Sequence, residues 1–187
     1  MIAARSSAGE LVAFPLAENV HKNHVLHTSL MPAAVAPEQA AAAQAIARRI
    51  AEGFELVGLV AVELFETEQG LLVNELAPRP HNSGHVTIEA AVTCQFENHI
   101  RAIHGLPLGA TTVAEPRVML NLLGDLWGAG EPDWAELIAD PQLQLHLYGK
   151  LEARGRRKMG HATMPVSSLD RALDWSRSQA LTERSQS

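Results

Sequence analysis

Two apolar runs, Leu56 to Phe65 and Leu71 to Leu76, flank the polar stretch Thr67-Glu68-Gln69-Gly70, and each run is interrupted by one glutamate. Short β-branched and leucine-rich runs on either side of such a turn predict an antiparallel hairpin. With the hairpin centred on Gln69, Glu63 and Glu75 fall opposite each other on one face of the sheet. Opposed Cβ atoms in such a pair are about 4.5 to 5.5 Å apart, and like charges there destabilise the sheet. A chain that folds this way must offset the repulsion. Two readings do so: a hard divalent cation, magnesium shared with a phosphate chain, ligated by Glu63 and Glu75, or an edge pair whose acids face solvent.

The segment after the hairpin, from Asn74 and Glu75 through Arg79, His81, Asn82 and Ser83 to His85, concentrates a cation, two imidazoles and two amides in a loop interrupted by Pro78, Pro80 and Gly84. Arg79 offers a planar fork for a carboxylate-like or phosphate-like group, and His81 and Asn82 offer further hydrogen-bonding groups, so the loop can cradle an anion. His81 and His85 could instead be a zinc pair, although no third ligand follows at metal spacing, or the loop could be an ordinary polar turn.

Around these segments the pattern is that of an α+β protein. Ile2 to Ala4 and Leu11 to Phe14 read as two antiparallel strands joined through Ser6-Ser7-Ala8-Gly9. Leu16 to Ala36 lacks periodicity and is expected to be a long ordered loop carrying His21, Lys22, His24 and His27. Pro37 opens a helix whose apolar residues recur at helical spacing up to Gly53 as its stop. Val86 to Val92 and Gln95 to His104 read as helical, and the Gly-Pro-Thr-rich passage from Gly105 to Pro116 marks a boundary. Beyond it lie strands at Val118 to Leu123, Leu143 to Tyr148 and Met159 to Val166, a short helix near Trp134, and a helix from Leu169 running into a polar tail.

The formal charge of -6 argues against nucleic acid or an anionic membrane as the main partner. The sequence has no run of about 18 apolar residues, so no transmembrane helix is expected. A single cysteine, Cys94, can close no intrachain disulfide, which fits a cytoplasmic protein. Against that acidic background, Lys150 to His161 holds five basic residues and one acid, Glu152. Such a segment suits a phosphate monoester; it could equally be a solvated charge run at a hairpin tip.

Taken together, Glu18 to Asn23, the Glu63 strand, Asn74-Glu75 through His85, Leu147 to Lys150 and Arg157 to His161 resemble the 5-(carboxyamino)imidazole ribonucleotide synthase family of ATP-grasp ligases, in order and in separation. The resemblance implies that residues 1–112 are the C-terminal portion of an ATP-grasp domain and 113–187 a small β-rich C-terminal domain with a terminal helix. It implies ATP and magnesium as cofactors and aminoimidazole ribonucleotide and bicarbonate as substrates. It also implies a homodimer, or a separately encoded N-terminal half as partner. Carried over by residue, Glu63 and Glu75 match magnesium ligands, and His21, Asn74 and Glu75 match nucleotide contacts. Arg79, His81 and Asn82 match the bicarbonate and carboxyphosphate pocket, and Lys150, Arg157 and Lys158 match the site for the ribonucleotide's phosphate.

Two departures from the family pattern matter. Family members are about twice this length, with a further domain and a glycine-rich lid ahead of the region matched here, so the chain is expected to be inactive alone. The alternative is a non-catalytic remnant that binds a ribonucleotide or dimerises. In addition, Arg154-Gly155-Arg156-Arg157-Lys158 stands where the family reads Arg-Pro-Gly-Arg-Lys, which loosens the turn ahead of the phosphate ligands.

Overall fold

The computed structural model describes residues 1–128 and 130–181, and the polar tail expected after the last helix lies outside them. The fold is α+β, with a four-stranded and a five-stranded sheet. Two compact units divide it: Met1–Glu18 with Leu30–Pro116, and Asn19–Ser29 with Arg117 onward. Among the described residues no helix is long and apolar enough to cross a membrane.

In the first unit, β1 (Ile2–Arg5), β2 (Leu11–Ala13), β5 (Gly58–Thr67) and β6 (Gly70–Ala77) form a sheet in the order β2-β1-β5-β6. Helix α1 (Pro37–Gly53) lies on one face of it because its alanines repeat every four residues: Ala43, Ala47 and Ala51 are fully buried and pack with Ala3, Val60 and Val62. Small side chains on that stripe let the helix backbone come close to the sheet. The helix ends at Gly53 as expected, but the residue that takes the left-handed conformation is Glu55, at φ 48°. There the Leu56 N–H closes the last turn onto the carbonyl of Ala51.

The α-amine of Met1 is buried against this sheet and donates to the carbonyl of Val62 at 2.9 Å. Burial lowers its pKa from 8.0 to about 6, with the charge of Glu63 pulling the other way. Because the folded value lies below the unfolded one, the unfolded chain binds the extra proton between those pH values, so stability rises with pH through that window. The unfolding free energy of the chain should therefore climb by about 2 kcal/mol from pH 6 to pH 8. Denaturant titrations across that range check this, and N-terminal acetylation should flatten the slope.

The end of the first unit is built on two buried polar side chains. Helix α2 (Thr87–Ala90) follows a 3-10 turn at Asn82–Val86, and α3 (Gln95–Ile103) turns Gln95 and Asn98 inward. Asn98 clamps Gly109 by donating to its carbonyl at 3.3 Å and accepting from its N–H at 2.8 Å.

In the second unit the sheet order is β3-β4-β7-β9-β8, from β3 (Glu18–Lys22), β4 (Val25–Met31), β7 (Arg117–Leu123), β8 (Gln144–Leu147) and β9 (Lys158–Pro165). The segment expected to be a loop is thus a hairpin. Its turn is Asn23-His24, at φ 50° and 64°, which a two-residue hairpin turn needs and which asparagine tolerates without glycine. Asn121 donates to the Leu26 carbonyl at 2.9 Å from inside this sheet. Helix α4 (Trp134–Leu137) and helix α5 (Leu169–Leu181) bring Trp134 and Trp175 to a ring separation of 5.5 Å. Trp127 and Trp134 both donate their indole N–H to Glu131.

Candidate functional site

Strand register brings the two glutamates together, but not by a regular hairpin. From Thr67↔Gly70 to Leu64↔Val73 the strands pair about a turn at Glu68-Gln69, and between Glu63 and Leu64 the register shifts by one residue, so that Glu63 pairs with Glu75 and Val62 with Leu76. The extra residue is Asn74. A bulge turns its side chain out of simple alternation, and its amide donates to Glu63 Oε2 at 3.3 Å, on the face that also carries Glu75. The opposite face keeps Val60, Val62 and Leu64 on α1. The bulge therefore places two consecutive polar residues on the site face while the apolar face stays continuous.

Glu63 is half-buried, with His81 Nε2 at 3.7 Å from its Oε1. The Glu75 side chain is exposed and hydrogen-bonded to none of the described residues. Two carboxylates on one face, one anchored and one with open oxygens, are a donor set that fits a hard divalent cation.

The loop after β6 is held from below. His81 caps the 3-10 turn, its Nδ1 2.8 Å from Ser83 Oγ. Its backbone is clamped by the fully buried Gln95, which accepts from the His81 N–H at 3.0 Å and donates to the His81 carbonyl at 2.8 Å. His85 Nδ1 lies 3.1 Å from that same carbonyl. Gln95 is in turn fixed by Thr87, whose Oγ1 accepts from the Gln95 N–H at 3.0 Å and donates to the Gly84 carbonyl at 2.6 Å. Gly84 leaves the space that Gln95 fills, since a Cβ there would sit 2.3 Å from Gln95 Oε1. Asn82 opens the 3-10 turn, and Arg79 is exposed with Nη1 donating to the Pro80 carbonyl at 3.1 Å.

Glu63, Asn74, Glu75 and His81 are thus assembled on one surface, with Arg79 and Asn82 on the same loop. Gln95, which sets the height of that loop, was not legible as a site residue. A glutamine at the start of an amphipathic helix reads as solvent-facing until the fold shows what it faces.

The basic cluster belongs to the second unit. Lys150 Nζ donates to the carbonyl of Lys158, and Arg157 Nη1 donates to that of Glu152 at 2.9 Å. Arg154 pairs with Glu152. The turn between Arg154 and Arg157 closes by the Arg157 N–H on the Arg154 carbonyl at 3.0 Å and holds Arg156 at φ 64°. A side chain in that region costs about 1 to 2 kcal/mol, so the family's Pro-Gly order is replaced by one with the flexible residue first and the strained one second. Gly124 makes room for this turn, because a Cβ there would lie 2.0 Å from the Arg154 carbonyl oxygen.

His21 also lies in the second unit, exposed on β3. His27, on β4, is half-buried, and burial together with Lys22 and Arg177 lowers its pKa to about 4, so it is neutral at physiological pH.

Comparison with known proteins accounts for both units. Residues 1–96 match the ATP-grasp domain and residues 117–174 the phosphoribosylaminoimidazole carboxylase C-terminal domain. The N5-carboxyaminoimidazole ribonucleotide synthase of Bacillus subtilis is 50% identical over 164 residues, which are 87% of this chain and 42% of that protein. The crystal structure of N5-carboxyaminoimidazole ribonucleotide synthetase from Thermus thermophilus is similar with a TM-score of 0.82 at 41% identity, covering 97% of this chain and 49% of that one. The synthase of Aspergillus clavatus, in complex with ADP and 5-aminoimidazole ribonucleotide, gives 0.80 at 32% identity, with 95% and 48% covered. The chain spans about half the length of the relatives it matches.

Proposed function

The chain belongs to the ATP-grasp family, matched over residues 1–96, and carries the phosphoribosylaminoimidazole carboxylase C-terminal domain over 117–174; on that footing we propose that it supplies the carboxy-terminal half of an ATP-dependent ligase that carboxylates aminoimidazole ribonucleotide. In this reaction bicarbonate takes the γ-phosphoryl group of ATP, giving carboxyphosphate and ADP. Carboxyphosphate then releases phosphate and carbon dioxide, and the amine of the ribonucleotide adds to the carbon dioxide and loses a proton. The reading is supported above all by the bulged hairpin, which puts Glu63, Asn74 and Glu75 on one face beside His81.

Glu63 and Glu75 would hold magnesium, which when bound neutralises charge on the phosphate chain. Asn74 and Glu75 contact the nucleotide, and His21 is a further nucleotide contact. Arg79, His81 and Asn82 orient bicarbonate and hold the anion formed from it. His81 is fixed for that role through its backbone by Gln95, and His81 Nδ1 is engaged by Ser83, which leaves Nε2 on the side of Glu63. Lys150, Arg157 and Lys158 take the phosphate of the ribonucleotide through charge-assisted hydrogen bonds. We place the boundary between the two domains at 112/113 and the working enzyme in the cytoplasm as a homodimer.

Phosphoryl transfer depends on positioning groups from both sides of the nucleotide. The 187-residue chain alone should therefore release no ADP. Co-expressed with the amino-terminal half of the Bacillus subtilis relative, it should release ADP only when bicarbonate and aminoimidazole ribonucleotide are both present. A stable pair of halves that turns over nothing would replace this reading with that of a non-catalytic binding remnant.

A further inference from the structure

A lysine ammonium on a flexible four-carbon stem has no direction of its own. Lys150 is nevertheless held at two points: Nζ donates to the Lys158 carbonyl and lies 5.3 Å from the centre of the Tyr148 ring. Tyr148 is held in turn. Its hydroxyl shares a 2.8 Å hydrogen bond with Nδ1 of His161, which is 2% exposed, and the His161 ring stacks on His146 with centres 4.4 Å apart and planes 12° from parallel.

The backbone fixes this stack. Register pairs His146 with His161 and Leu147 with Gly160. Gly160 permits the close approach, because a Cβ there would lie 2.4 Å from the His146 carbonyl oxygen. Gly149, at φ 64°, then turns the chain sharply between Tyr148 and Lys150.

We infer that His161 is a positioning residue for the ribonucleotide phosphate, acting through Tyr148 to fix where Lys150 presents its ammonium; the inference rests on the phosphate site proposed above. One of the three N–H donors of Lys150 is spent on the Lys158 carbonyl, and two remain for an anion. A cation held over an aromatic face is attracted by the ring's negative centre, so the direction of those donors follows the angle of the Tyr148 ring. That angle is set by the bond to His161. A lysine ordered before the ligand arrives loses less freedom on binding than one ordered by it.

Two measurements on the 187-residue chain test this, after thermal melts establish that each variant folds. The first needs no ligand: the ε-methylene protons of Lys150 should be displaced upfield by the Tyr148 ring current. Tyr148→Phe, which keeps the ring, and His161→Leu should both move them toward random-coil values. His161→Asn, whose amide can take the place of Nδ1, should restore them. The second is titration with aminoimidazole ribonucleotide at low salt. Tyr148→Phe and His161→Leu should each weaken binding by about threefold to tenfold, His161→Asn should stay near the unaltered chain, and Tyr148→Phe should add nothing to Lys150→Ala.

Unchanged Lys150 shifts in Tyr148→Phe and His161→Leu would overturn the positioning role. So would losses that multiply when Tyr148→Phe is combined with Lys150→Ala. If the unaltered chain binds no ribonucleotide, the phosphate reading falls, and the Lys150 shifts alone then decide whether His161 orders the ammonium.

Discussion

In the pair of halves that carries activity, Glu75→Ala is expected to lower kcat by about a thousandfold or more. Loss of one preorganised electrostatic group in an active site typically costs a factor of about 100 to 1,000, and Glu75 is asked for two contributions, to the cation and to the nucleotide. Its carboxylate is exposed and hydrogen-bonded to none of the described residues, so removing it leaves no buried group unpaired and the fold should be undisturbed. The loss should therefore appear in kcat with no fall in melting temperature. Glu75→Asp, which keeps the charge on a shorter stem, should recover part of the rate as magnesium is raised. Near-normal turnover by Glu75→Ala would mean that the glutamate pair is not the metal site.

A large effect on stability should come from Gly84→Ala. The added Cβ would lie 2.3 Å from Gln95 Oε1 and 2.4 Å from Ile2 Cδ1, and both neighbours are buried. Overpacking of this kind costs about 1 to 3 kcal/mol. Displacing Gln95 also breaks its two bonds to the His81 backbone, each worth about 1 kcal/mol. A loss of about 4 kcal/mol, or roughly 8 to 16 °C in Tm, follows for a chain of this size. Gly53→Ala is the control, since a Cβ there meets nothing within 4 Å at the end of α1. It should be neutral or slightly stabilising. Calorimetry on the two variants checks both signs, and a Gly84→Ala protein that melts with the unaltered chain would refute the packing argument.

What the sequence made legible follows its periodicities. Helix α1 could be read because Pro37 fixes its start and its alanines keep one phase to the end. The pairing of Glu63 with Glu75 was anticipated from a hairpin centred on Gln69, whereas the turn is Glu68-Gln69 and the bulge makes up the difference. Two offsets cancelled, and nothing in the residue types announces a bulge. Strand β3 was read as loop because its side chains are almost all exposed and show no alternation, and because the turn that follows carries no glycine. Gln95, Tyr148 and His161 escaped for a shared reason. Each is a polar side chain whose work is done against another part of the chain, so its value depends on a partner that only the three-dimensional arrangement reveals.

The bulge at Asn74 also changes what the neighbouring positions can tolerate. In an unbroken strand, positions 74 and 75 would answer to opposite environments and could vary independently. Here both answer to Glu63, and Glu63 answers to both. Positions 63, 74 and 75 are physically coupled, so a substitution at any of them alters the setting of the other two, and a deletion of Asn74 that straightened the strand would remove its contact to Glu63 while leaving every side chain against α1 in place.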